Sequence, residues 1–241
     1  MDLHFLGTSH GVPSADRYCQ SILAQTAQGG ILIDAGAPVM DLLLRMDYPL
    51  TSLRTVLLTH LHGDHTNGLL SLMDLSAWYF QTMSYDVWLP EEQILAPLEK
   101  LLSIVVDDTS YPTDRIRTHI VSAGVLQDDG VRITAFPTGH MRRHDRPAYG
   151  YLLEEDGKRV YISGDLAGGE ADLPAFLTQE PVDLLVCECA HFPAQVLLER
   201  LEHVHAARIA VVHVYPLEKY DVLHAARPEL LFPADGDVIR V

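Results

Sequence analysis

Residues 55–70 read TVLLTHLHGDHTNGLL. A short apolar run stops at Leu58, and His60, His62, Asp64 and His65 follow within six residues. Neutral imidazoles and carboxylates are ligands that suit zinc and similar divalent ions. No thiolate lies nearby, which argues against a closed structural zinc site of the cysteine type. His60 and His62, two apart, can chelate one ion. Asp64 and His65 can turn to a second, as two-metal hydrolytic sites require.

Outward from this stretch, ligand-type residues recur wherever a predicted strand stops. His140 follows VRITAFPTG, Asp165 follows RVYISG, and His213 ends RIAVV. Loops at strand ends open onto one edge of a packed α/β architecture, so ligands distant in the chain can meet there. Six or seven ligands exceed what one tetrahedral ion takes and suit two ions with a bridge. Each half of the chain, roughly 1–125 and 126–241, begins with strands and continues into alternating helix and strand. No Pro/Gly/Ser-rich linker divides them. The expectation is one domain over 1–241, with two mixed sheets packed face to face and helices outside.

The bulk composition bounds the partners. Lys and Arg number 17 and Asp and Glu 33, giving a net charge of −16. Such a surface repels phosphate backbones and anionic membranes. No apolar run is long enough to span a bilayer. The opening MDLHFLGTSHG has an acid at position 2 and no hydrophobic signal segment, so a cytoplasmic protein is expected. Cys19, Cys187 and Cys189 form no CxxC pair, and an odd count argues against a disulfide framework. Two apart in DLLVCECA, Cys187 and Cys189 would share one face of a strand as small core side chains.

THLHGDH matches the HxHxDH signature of the metallo-β-lactamase superfamily. LIDAG (Asp34), TGH (His140), SGD (Asp165) and VVHV (His213) fall in the order of its other motifs. The opening LGTSHGVPSADRYCQS resembles the N-terminal loop of the ribonuclease Z-like, phosphodiesterase-like branch. The resemblance implies an α/β fold, the four-layer αββα sandwich. It implies two divalent ions, zinc ahead of manganese or iron. The first would take His60, His62 and His140, the second Asp64, His65 and His213, with Asp165 bridging. Asp34 would hold a ligand histidine by its free N–H. His191, in ECAHFPAQ, matches a catalytic histidine of the branch that lies outside the metal shell, although the usual HST context is here HFP. The alternative is a surface histidine near a helix start. Glu188 could orient His191, or be a strand glutamate satisfied by other groups. His10 lies in a loop that borders the site in the family and is a candidate substrate contact. Arg142, Arg143 and Arg146 form the one basic cluster, either a solvated face or an attractor for an anionic substrate.

The activity implied is a metal-dependent hydrolase, foremost a phosphodiesterase acting on a small molecule or nucleotide. The attacking group would be water or hydroxide held between the metals, with Asp64 holding or accepting its proton and His191 assisting the leaving group. Hydrolysis of an ester, lactone or thioester at the same centre is the first alternative. A catalytically silent metal-binding or ligand-sensing protein is the second. Transfer RNA is not an expected partner, because only 24 residues separate His140 from Asp165 and no basic arm is inserted anywhere. The stretch around Trp78 packs either in the core or in a homodimer contact.

Overall fold

The computed structural model describes residues 1–106 and 112–241. The first sheet holds β1 (Asp2–Gly7), β2 (Ser21–Thr26), β3 (Gly29–Ile33), β4 (Leu53–Leu57), β5 (Tyr85–Leu89), β6 (Ile116–Ile120) and the C-terminal β13 (Val238–Arg240). Their order across the sheet is β13-β1-β2-β3-β4-β5-β6, with β3 to β6 parallel. The second sheet holds β7 (Gly124–Asp128), β8 (Arg132–Pro137), β9 (Tyr149–Glu155), β10 (Lys158–Ile162), β11 (Val182–Cys189) and β12 (Ala206–Val214), in the order β12-β11-β10-β9-β8-β7. Here β10, β11 and β12 run parallel. The two halves read from the sequence thus supply one sheet each, except that β13 returns to pair antiparallel with β1.

Three buried clusters define four layers. Leu3, Phe5, Ile22, Ile31 and Ile33 of the first sheet meet Ile133, Tyr151, Leu153, Val160, Leu184 and Val186 of the second. Each such side chain, fully buried, contributes roughly 1.5–3 kcal/mol. On the outer face of the first sheet, Leu32, Val56 and Val87 pack under α1 (Val39–Arg45), α3 (Leu69–Trp78) and α4 (Leu95–Val105). Outside the second sheet, Leu185, Cys187 and Val211 pack under α5 (Ala194–Leu201) and α6 (Lys219–Ala226). Period-2 alternation sorts the β11 residues between these layers: Leu184 and Val186 face the other sheet, Leu185, Cys187 and Cys189 the helices. Strand β11 therefore reads as a continuous apolar run because both its faces are covered. The cysteine pair lies in the core on one face, as expected, and all three cysteines are buried and free. Trp78, at the end of α3, is 49% exposed, so it is not a core residue of the chain. Among the described residues no helix is long and apolar enough to cross a membrane.

Two segments depart from simple local patterns for physical reasons. ADLPAFLTQ forms only a 3-10 turn at Ala175–Thr178. Pro174 disfavours helical backbone at the residue before it and removes an N–H. Strand β7 has no clear strand pattern in the sequence. Its residues alternate weakly in burial and it closes the sheet edge, where neither face demands a clear apolar pattern.

Candidate metal centre

The site sits at the C-terminal ends of β3, β4, β8, β10, β11 and β12. After β4 the chain turns through His60 and His62 into a one-turn helix, α2 (Gly63–Thr66), that carries Asp64 and His65. The Asp34-Ala35-Gly36 loop lies flat against this turn: Ala35 N donates to His65 O at 2.8 Å and Gly68 N to Ala35 O at 2.8 Å. A Cβ on Gly36 would stand 2.4 Å from Asp64 O, so glycine is required for that approach. In SGD, Gly164 has φ +57, and a Cβ there would meet Tyr149 O and Thr59.

His213 reaches the site by a break in register. Glu188 pairs with Val212 and Cys189 with Val214, so His213 is the extra residue of a bulge. Its φ is 50, in the left-handed region, and its N–H leaves the ladder to donate to Thr8 O at 3.0 Å. Bulges re-aim side chains beside active sites. Asp34 has a similar backbone, φ 60. Strain of this kind persists only where the surroundings impose it.

Seven side chains converge. Ligand atoms of His60, His62, His140 and Asp165 lie within 4.8 Å of one another, and so do those of Asp64, His65 and His213. The Asp165 carboxylate faces both groups. Its Oδ2 is 3.6 Å from His60 Nε2 and 3.6 Å from His140 Nε2. Its Oδ1 is 3.4 Å from His65 Nε2 and 3.7 Å from His213 Nδ1. Asp64 Oδ2 lies 3.3 Å from His65 Nε2 and 3.1 Å from His213 Nε2.

The donor set fits divalent cations. His60 Nε2, His65 Nε2 and His213 Nδ1 are buried and have no hydrogen-bond partner. Buried polar atoms are rarely left so, and these point at one carboxylate. His140 Nε2 and His62 Nδ1 face each other at 3.1 Å, two ring nitrogens converging on one space. Tautomers are set from behind. His65 Nδ1 donates to Asp34 Oδ2 at 2.7 Å, His60 Nδ1 meets Thr59 Oγ1 at 3.1 Å, and His140 Nδ1 meets Leu166 O at 3.3 Å. Each leaves Nε2 with its lone pair toward the cluster.

Charge follows the same plan except at His65, where burial is outweighed by Asp165 and Asp34, which raise its pKa well above the ordinary imidazole value. Burial opposes ionisation of Asp165, but His213, His65 and His60 outweigh it and hold the carboxyl well below the usual range. Burial likewise opposes ionisation of Asp64, and its hydrogen bond to His213 and the nearby His65 ring outweigh it, so this carboxyl too is held low. Burial pushes His60 well below the ordinary imidazole value, helped by His65. His62 and His140 are also lowered, first by burial. Deprotonated carboxylates and neutral imidazoles are the forms that bind metals.

Beside the cluster stands His191. Glu188 follows the inward-facing parity of Leu184 and Val186 and is 1% exposed at the strand end. Its Oε1 accepts from His191 Nδ1 at 2.8 Å and from Leu166 N at 2.8 Å, while Oε2 accepts from Ala190 N at 2.6 Å and His191 N at 3.2 Å. His191 Nε2 then lies 3.8 Å from Asp165 Oδ2. Burial would lower the His191 pKa, but the hydrogen bond and charge of Glu188, with Asp165, raise it.

His10 packs on Tyr215 with ring centroids 4.3 Å apart. Its pKa is lowered by burial and then by His213. The basic stretch divides. Arg146 is spent on Glu91, donating from Nε at 2.8 Å. Arg142 and Arg143 sit in a 3-10 turn, Arg142–His144, and the Arg142 guanidinium lies over Gly139, the residue before His140. Arg142 lines a neighbouring cavity of about 460 Å³ with Thr138, Gly139 and Asp172.

Two supporting residues were not anticipated. Thr59 ties Asp34 to the His60 turn, donating from N at 2.8 Å and from Oγ1 at 3.0 Å. Asp172 accepts from Gly139 N and from Ala167 N, each at 2.6 Å. One carboxylate thereby joins the loops that carry His140 and Asp165. Asp172→Ala should weaken metal affinity by about 10–100-fold, the usual effect of removing a group that orients ligands. Competition against a chromogenic chelator measures this directly, and unchanged affinity would remove Asp172 from the support of the site.

Two sheets back to back, helices outside, and a histidine–aspartate cluster at the strand ends define the metallo-β-lactamase fold. The chain belongs to the family described as Anti-Pycsar protein Apyc1, whose sequence model matches residues 1–218. A curated relative, ribonuclease BN of Cronobacter sakazakii, is 33% identical over 162 residues, covering 66% of this chain and 51% of its own. The chain therefore spans about half the length of that relative. Among solved structures, human tRNase Z, short form, superposes with a TM-score of 0.78 at 20% identity, covering 100% of this chain and 99% of that one. The metallo-β-lactamase fold protein YhfI of Bacillus subtilis gives 0.78 at 18% identity, with 99% and 98% covered.

Proposed function

We propose that this chain is a metal-dependent phosphodiesterase that holds two divalent ions, zinc foremost, and acts on an anionic small molecule or nucleotide. The observation that carries the reading is the Asp165 carboxylate, one oxygen toward His60 and His140 and the other toward His65 and His213. That arrangement supports a bridge between two ions rather than one closed site. When bound, the ions would lower the pKa of water and neutralise charge on phosphoryl oxygens. His60, His62 and His140 would hold one, Asp64, His65 and His213 the other. Asp64 keeps a carboxylate oxygen available to accept or orient the proton of the attacking water. His191, held by Glu188 and raised toward its protonated form, presents Nε2 to donate a proton to the departing oxygen. The buried free cysteines agree with a reducing compartment, so we assign the chain to the cytoplasm.

The test is a panel of bis(p-nitrophenyl) phosphate, p-nitrophenyl phosphate, a lactone and a thioester, each with zinc- and manganese-loaded protein. The diester should turn over fastest. Faster lactone or thioester turnover would move the reaction to a carbonyl. A protein that holds two ions and turns over none of them would be a binding protein.

Precursor tRNA should be neither bound tightly nor cut at its 3′ end, although relatives carry ribonuclease names. Strands β9 and β10 and the turn between them leave no room for an inserted arm between His140 and Asp165, and the net charge is −16. A gel assay with a labelled precursor decides this. Efficient cleavage at one position would make tRNA the substrate.

A further inference from the structure

The loop that carries His191, Ala190 to Phe192, leaves the end of β11 at Cys189 without continuing any ladder, so its carbonyls need other donors. One side chain supplies most of them. Lys219, the first residue of α6, donates from Nζ to Cys189 O at 2.9 Å, to Ala190 O at 3.0 Å and to Phe192 O at 2.7 Å. An ammonium has three N–H donors, and all three are spent on this loop and the strand end it leaves. The remaining carbonyl, His191 O, accepts from Gly169 N at 3.0 Å. On the opposite side Glu188 takes the Ala190 and His191 N–H groups. No carboxylate among the described residues pairs with Lys219, so its charge is not part of a surface ion pair.

We infer that Lys219 is a positioning residue for His191: its ammonium clamps the carbonyls on both sides of the histidine and fixes the imidazole between Glu188 and Asp165. The inference rests on the proposed role of His191 as proton donor. Glu188 alone sets the direction of Nδ1, yet it does not fix where the loop stands relative to the cluster. The lysine is the anchor for that, since α6 is packed on the second sheet through Leu223. A displacement near 1 Å far from the reacting atoms can cost about 10²-fold.

The experiment uses the metal-loaded full chain with Lys219→Met, which keeps the length of the side chain and removes the three donors. The variant is built alone and together with His191→Ala. Turnover is measured on one diester with a poor alkoxide leaving group and on bis(p-nitrophenyl) phosphate. Amide hydrogen exchange is followed at Ala190 and His191. Lys219→Met should lose about 10–100-fold on the poor leaving group. The loss on the p-nitrophenyl diester should be much smaller, both ions should stay bound, and Ala190 and His191 should exchange faster. In the His191→Ala background the lysine change should add nothing, because the group it positions is gone. Equal losses on both substrates, full additivity in the double variant, or unchanged exchange would each overturn the clamp. Faster exchange together with a His191→Ala variant as active as the parent would refute the proton-donor role and leave Lys219 as an anchor of the loop alone, which also ends the inference.

Discussion

Asp165→Ala should empty the centre. The parent protein, purified without chelator and saturated with zinc, is expected to bind two ions per chain by elemental analysis. The alanine variant should bind well under one and show no measurable turnover. The reason is the sharing of one carboxylate: Oδ2 faces His60 and His140, Oδ1 faces His65 and His213. Removing it takes a ligand from both groups at once, leaving His60, His62 and His140 with no carboxylate and Asp64 as the one carboxylate grouped with His65 and His213. Asp165→Asn separates the two halves of the claim. One amide oxygen remains, so about one ion should be retained. A parent that saturates near one ion would break the bridging role, and an alanine variant that keeps two would do the same. Chelation of the parent should also lower its melting temperature. Ligand present at 100 times its dissociation constant stabilises by about 2.7 kcal/mol. For a chain of this size that is roughly 5–10 °C.

The residues in that prediction were legible because ligand chemistry and strand periodicity coincide along the chain. His60, His62, Asp64 and His65 stand in one dense stretch directly after an apolar run, and His140, Asp165 and His213 each end a predicted strand. The sandwich was legible for a related reason: both halves alternate strands with amphipathic helices. What stayed hidden depends on geometry that no local pattern encodes. The bulge that turns His213 inward is a register shift between β11 and β12, visible only once they pair. Asp172 reaches Gly139 across 33 residues, and Lys219 reaches Cys189 across 30. A lone aspartate in a turn and a lone lysine at a helix start carry no motif. Glu188 was half legible: a charged residue inside DLLVCECA conflicts with a buried strand, and such conflicts gather at functional sites. Of the three arginines close in sequence to His140, Arg146 pairs with Glu91, a partner 55 residues away that no local pattern announces.

His191→Ala should keep both ions and the fold while losing roughly 10²–10⁴-fold in turnover on a diester with a poor leaving group. The structure supplies the reasons for each part. His191 Nε2 is 3.8 Å from Asp165 Oδ2, beyond hydrogen-bond distance, and its Nδ1 is committed to Glu188 at 2.8 Å. The side chain is 31% exposed, so its loss opens no core cavity. It does stand in a third group with Asp165 and His213, whose ligand atoms lie within 4.8 Å of one another. A rival role as metal ligand is therefore concrete and predicts a different result. If His191 donates a proton, the loss should shrink with p-nitrophenolate as leaving group, because that anion departs unprotonated. General destabilisation cannot imitate the difference, since unfolding lowers both rates alike. Glu188→Gln should reproduce part of it, because the amide no longer holds a protonated imidazole by charge. A falling ion count in His191→Ala would make it a ligand. Equal losses on both substrates with the ions retained would leave it a residue that positions substrate, and no loss on either would return it to the surface histidine that its sequence context also allowed.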